Sequence, residues 1–103
     1  MSLVTDMVLY TAGNEPDAMR RLNEWCTEAD DRHQQFAQLD EEAAGGDKVF
    51  TGEVWAMAGN YFPHADLADA LPGFGWRYPR RVVLIIDPED GDIHVVRADP
   101  GAP

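Results

Sequence analysis

Residues Met7–Ala29, MVLYTAGNEPDAMRRLNEWCTEA, hold a β-prone run, a turn and an amphipathic helix in succession. Met7–Thr11 is apolar and β-prone and is bounded by Gly13-Asn14, which predicts a first strand. Asn14 offers an N-cap oxygen, with Glu15, Pro16 and Asp17 in the first turn. Pro loses nothing there, because its missing N–H would be unpaired anyway, and acids suit the positive helix end. Met19, Leu22, Trp25 or Cys26, and Ala29 recur at helical spacing and predict a buried stripe. Arg20, Arg21, Glu24, Glu28 and Asp31 fall on the other side.

Downstream, Gln35–Leu39 reads as a short strand in preference to a continued helix, because Asp40–Gly46 ends in a Gly pair. Lys48–Met57, with Val49, Thr51, Val54 and Trp55, is strand-like and is broken by Gly59-Asn60. A short helix spans Ala65–Leu71 and stops at Pro72-Gly73, with Asp66 and Asp69 outward and Leu67 inward. Arg81–Ile86 is apolar after its first residue, which implies cover on both sheet faces or a face used in an oligomer. Asp87–Asp92 is a turn, and Ile93–Arg97 returns as its hairpin partner. The order strand, helix, strand, strand, helix, strand, strand predicts an α+β fold. It is a ferredoxin-like βαββαβ sandwich with an additional C-terminal hairpin strand, a single α+β domain over 1–103 whose ends, 1–6 and 98–103, are loose.

The chain has 103 residues, with 8 Lys and Arg against 19 Asp and Glu, a formal net charge of −11. Phosphate backbones and anionic lipid heads repel such a chain, which argues against direct nucleic-acid or membrane partners. No apolar run approaches the roughly 18 residues that span a bilayer. No Lys or Arg precedes Arg20, so the basic head of a signal peptide is missing and the cytoplasm is the default compartment.

No residue spacing carries a catalytic motif, and no catalytic residue, metal or cofactor is assigned. His33, His64 and His94 lie about 30 residues apart, so only tertiary folding could unite them. The single cysteine, Cys26, sits beside the helix stripe between Glu24 and Glu28 and reads as a packing residue. The Asp87–Asp92 turn departs from a calcium loop, since Gly91 is fifth and the remaining ligands are missing. Gly45-Gly46-Asp47-Lys48 lacks the length of a phosphate loop and a Gly directly before its Lys.

The segment Asn60–Arg81 stands out. It contains Tyr61, Phe62, Phe74, Trp76 and Tyr78, half of the chain's aromatics, with Arg77, Arg80 and Arg81. Residues 48–86 carry 4 basic and 3 acidic groups, whereas residues 15–47 carry 3 and 10. Arg beside Trp and Tyr is the composition of interface hot spots. Tyr61, Phe62, His64, Trp76, Arg77, Tyr78, Arg80 and Arg81 are therefore the candidate interaction surface. Alternatively, Trp76 and Phe62 seal the core while the arginines pair with surplus carboxylates.

Gly45-Gly46-Asp47-Lys48, Asn60-Tyr61-Phe62, and Trp76 and Pro79 before a V-x-L-x-I strand together resemble small uncharacterised proteins of high-GC bacteria and their phages. That resemblance implies no catalytic residue. Acylphosphatases share the ferredoxin-like sandwich but need an Arg in a Gly-rich first loop, and Ala12-Gly13-Asn14-Glu15 has none. The sequence favours a small acidic protein-interaction module that self-associates or binds a protein partner, through a sheet face or edge around Val82–Ile86 and the aromatic segment. A second reading is a nucleic-acid mimic that inhibits a basic protein, its face formed by Glu28, Asp30, Asp31, Asp40, Glu41, Glu42 and Asp47. A third is a small ligand-binding or enzymatic domain of the dimeric ferredoxin-like type, with His64, Tyr61, Arg77 and Trp76 around its pocket and His64 as general acid/base.

Overall fold

The computed structural model describes residues 3–40, 44–48 and 51–99. Strand β1 spans Val4–Thr11, helix α1 Pro16–Ala29, β2 Ala37–Gln38, β3 Glu53–Asn60, α2 His64–Ala70, β4 Val82–Pro88 and β5 His94–Arg97. Short 3₁₀ turns at Leu71–Phe74 and Pro79–Arg81 join α2 to β4. The strands form one sheet in the order β2-β3-β1-β4-β5, and each neighbouring pair is antiparallel. The fold is thus α+β with a five-stranded antiparallel sheet and two helices, an arrangement compatible with a ferredoxin-like sandwich.

Strict alternation builds the core. Along β1, Thr5, Met7, Leu9 and Thr11 are buried, while Asp6, Val8 and Tyr10 are exposed. Along β4, Val82, Leu84 and Ile86 are buried while Ile85 and Asp87 are not. One apolar cluster joins Met7, Leu9, Val82, Leu84 and Ile86 to Ala18, Met19, Leu22 and Cys26 of α1 and Leu67 of α2. A chain of edge-to-face rings, Phe62–Trp25–Phe74–Trp76, runs through this layer at centroid spacings of 6.4–6.5 Å. The Trp76 indole N–H is satisfied by the Leu71 carbonyl at 2.7 Å.

Several boundaries differ from those read in the sequence. β1 begins at Val4, so Val4–Asp6, expected to be loose, are paired with β3 and β4. Glu89 clasps this end, since the Val4 N–H donates to its carboxylate and its own N–H donates to the Val4 carbonyl. At the other terminus Ala98 is buried and its N–H donates to the Val82 carbonyl. Gln35–Leu39 does contain a strand, reduced to the two residues of β2. β3 starts at Glu53 and includes Gly59 and Asn60, which therefore do not break it. The Gln34 side chain accepts from the Asn60 N–H at 2.9 Å, and Phe62 closes over Gly59, where a Cβ would lie 2.8 Å from the Phe62 Cβ. The strand ends instead at Tyr61, whose φ of 55° turns the chain. Val49 falls outside the described residues.

The N-cap assignment also changes. Glu15, not Asn14, occupies the position before α1, and it makes no side-chain cap. Its carboxylate is 2% exposed and accepts the N–H groups of Arg77 and Tyr78 at 2.8 and 2.9 Å. This contact ties the start of α1 to the chain that enters β4, 62 residues away.

Candidate interaction surface

The aromatic and arginine segment does not form one surface. Phe62 and Trp76 are buried, 4% and 8% exposed, and belong to the core, as the alternative reading held. The others divide between the two ends of the sheet. Tyr61 lies at the end where β3 stops, and its N–H donates to the Leu3 carbonyl. The Arg32 guanidinium sits 5.6 Å from its ring centroid. Arg77, Tyr78 and Arg81 lie at the opposite end, where β4 starts beside Thr11. Eight residues of β1 separate the two ends, about 23 Å at strand rise. The physical reason is that α2 and its 3₁₀ turn carry the chain back along the sheet, so residues of one sequence segment are delivered to opposite ends of the strands.

At the Arg end, the Tyr78 ring packs on Gly13, where a Cβ would come within 2.9 Å of it. Arg80, its side chain mostly in solvent, pairs at 3.4 Å with the largely covered carboxylate of Asp99. Arg21 donates to the Phe74 carbonyl at 2.9 Å and passes beside Gly75, which takes a φ of 77°. These contacts brace the loop.

His64 is half-buried and borders a cleft of about 270 Å³ between α2 and the β4–β5 hairpin, together with Asp69, Ile86 and His94. Folding therefore brings two of the three histidines to one depression, which sequence spacing alone did not show. Thr5 Oγ1 lies 3.5 Å from His64 Nδ1. Arg77 borders a different cleft, with Glu15 and Arg21, and Trp76 is in the core. The pocket expected from His64, Tyr61, Arg77 and Trp76 is not assembled, because those side chains lie at opposite ends or face inward. Among the described residues, no three His, Cys, Asp or Glu side chains converge as a metal centre needs. Cys26 is fully buried, and burial pushes its thiol pKa up to about 12.

The acidic face is also thinned. Asp30 turns back on its own loop, pairing with Arg32 and bonding to the Gln34 amide, and its side chain is only 9% exposed. Glu41 and Glu42 lie outside the described residues.

What remains uncovered is the sheet face opposite the helices. The strand registers align Ala37, Ala56, Val8, Ile85 and Val95 into one row that takes a residue from every strand. Val8 is 38%, Ile85 39% and Val95 66% exposed, and no described element lies over them. Two residues along the strands to one side lies a second row, Ala58, Asp6 and Asp87, and to the other side a third, Val54, Tyr10, Val83 and Arg97. No protein-family model, curated protein or solved structure matches the chain. The sequence signal for this face is the unbroken apolar run of β4, while in β1 the alternation that exposes Val8 and Tyr10 is hidden because both are apolar like their buried neighbours. No helix among the described residues is long and apolar enough to cross a membrane.

Proposed function

We propose that the protein is an interaction module that self-associates as a dimer through the open face of a ferredoxin-like sandwich extended by β5. The observation that carries this reading is the row Ala37–Ala56–Val8–Ile85–Val95. A sheet face turned to water ordinarily carries polar side chains, and five aligned apolar residues are the composition of a face meant to be covered. Val83 and Val54 widen the row on one side, so an apolar centre is flanked by charged positions, the pattern of a protein interface. The aromatic segment has a structural part in this scheme, holding α2 and the loop before β4 beneath the sheet.

Sedimentation equilibrium of the wild-type chain tests the reading, together with Ile85→Glu. The wild type is expected to sediment as a dimer at micromolar concentration. Ile85→Glu places a carboxylate in the centre of the contact once per copy, and an unpaired charge there weakens association by roughly 100-fold or more. Circular dichroism checks that the variant remains folded, which its exposed position favours. A wild type that stays at monomer mass at ~100 μM, far above the range of a specific interface, defeats the reading.

A further inference from the structure

Asp6 and Asp87 are directly opposed on neighbouring strands, both on the open face. Like charges in that position repel, and neither carboxylate makes an ion pair among the described residues. Arg97 occupies the same face at the other end, in register with Val83, and it too makes no ion pair among the described residues. The central row lies midway, because Ile85 is two residues from Asp87 and two from Val83. The open face therefore has an acidic end, an apolar middle and a basic end.

We infer that the occupant of this face is a second copy of the chain in one orientation, with the two-fold axis running along the apolar row and across the strands. This inference rests on the self-association proposed above and specifies its geometry. Rotation about that axis keeps each strand over its own counterpart and exchanges the two ends. Val8 and Ile85 then meet their equivalents on the axis. Asp87 of one copy is set over the other's Val83, offset sideways by one strand spacing, about 4.8 Å, from that copy's Arg97, and the two side chains reach toward each other across the roughly 10 Å between packed sheets. The contact occurs twice, and each Arg97 answers an acidic pair that is uncompensated in the single chain. An axis along the strands would instead stack the two acidic rows on each other. Aligned sheets pack within about 30° of parallel, close enough to preserve this exchange. The five strands, of very unequal length but averaging about 20 Å, present about 470 Å² of projected face per copy. Both copies together thus reach about 1,000 Å² or slightly more once side chains interdigitate, the lower range of a specific interface.

Charge reversal separates the orientation from dimer formation itself. Arg97→Asp and Asp87→Arg are each expected to raise the dimer dissociation constant by about tenfold or more, because each homodimer then holds two like-charged contacts. Mixing the two variants restores opposite charges at both contacts. An equimolar mixture is therefore expected to form a mixed dimer at near wild-type affinity, read by sedimentation velocity with one variant fluorescently labelled. The milder Arg97→Gln and Asp87→Asn, with melting curves for all four, confirm that any loss is of contact and not of folding. Variants that dimerise as tightly as the wild type, or a mixture no tighter than its components, overturn the orientation while leaving the dimer intact. A monomeric wild type overturns both.

Discussion

Glu15 offers the most direct test of how the fold is fastened. Its carboxylate is inside the protein and takes two backbone N–H groups, those of Arg77 and Tyr78. Hydrogen bonds to a charged group each contribute about 1.5–3 kcal/mol net. The lower figure applies here, because Arg77 and Tyr78 have exposed side chains and water can reach their freed amides. A carboxylate at the start of α1 adds a few tenths of a kcal/mol through the helix dipole. Glu15→Ala should therefore lose about 3 kcal/mol, or roughly 15 °C in Tm for a domain of this length. Glu15→Gln keeps one acceptor oxygen but turns an amide NH2 toward an N–H donor, so it should lose about half as much. Thermal and urea denaturation followed by circular dichroism measure both. If Glu15→Ala falls within 0.5 kcal/mol of the wild type, the ordinary scatter of a surface substitution, the clasp is not what holds α1 to the β4 entry.

Two further outcomes follow from single residues. Cys26 should resist thiol reagents in the native protein at pH 8 and react on unfolding. Its folded pKa near 12 lies above the ordinary value of 9.0, so the unfolded chain loses its thiol proton first. Its contribution to stability is complete below pH 9 and declines as pH rises from 9 toward 12, which urea titrations at stepped pH would detect. Gly75→Ala should destabilise by about 1–2 kcal/mol, because φ of 77° is costly for any side chain. A Cβ there would also come within 2.7 Å of Arg21 Nη1, so loss of the Arg21–Phe74 bond should accompany it. An unchanged urea midpoint would show that the Gly75 turn relaxes freely.

Much of the layer structure is legible in the residues themselves. The apolar stripe of α1 and the apolar run of β4 locate the core, and the turn expected at Asp87–Asp92 does bring β5 back beside β4, although Asp87 and Pro88 belong to β4 and the connection is confined to residues 89–93. The sequence order also suffices to separate β2 and β3, even though β2 shrinks to two residues. What sequence distance hides are contacts between remote segments. Glu15 reads as a helix-start acid because its real partners are more than 60 residues downstream. Gly59-Asn60 reads as a break because the Gln34 side chain, which accepts from the Asn60 N–H, lies 26 residues upstream. The Arg and aromatic cluster is dense in sequence, yet a helix laid along the sheet distributes it to both ends. The open face has the opposite history. Its row is assembled one residue per strand, so no stretch of sequence contains it, and only the registers reveal it.

The lengths of the outermost strands bear on stoichiometry. Among the described residues, β2 offers two residues of backbone and β5 four, so neither edge of the sheet presents a long ladder there to an incoming strand. Growth by adding strands side by side, the route to fibres, has little to template on. A face, by contrast, is consumed once it is covered, and two-fold packing leaves no second copy of that face outside. In the dimer proposed above, a chain with blunt edges and one apolar face counts to two, and its solubility at high concentration should then depend on that pairing more than on its surplus of negative charge.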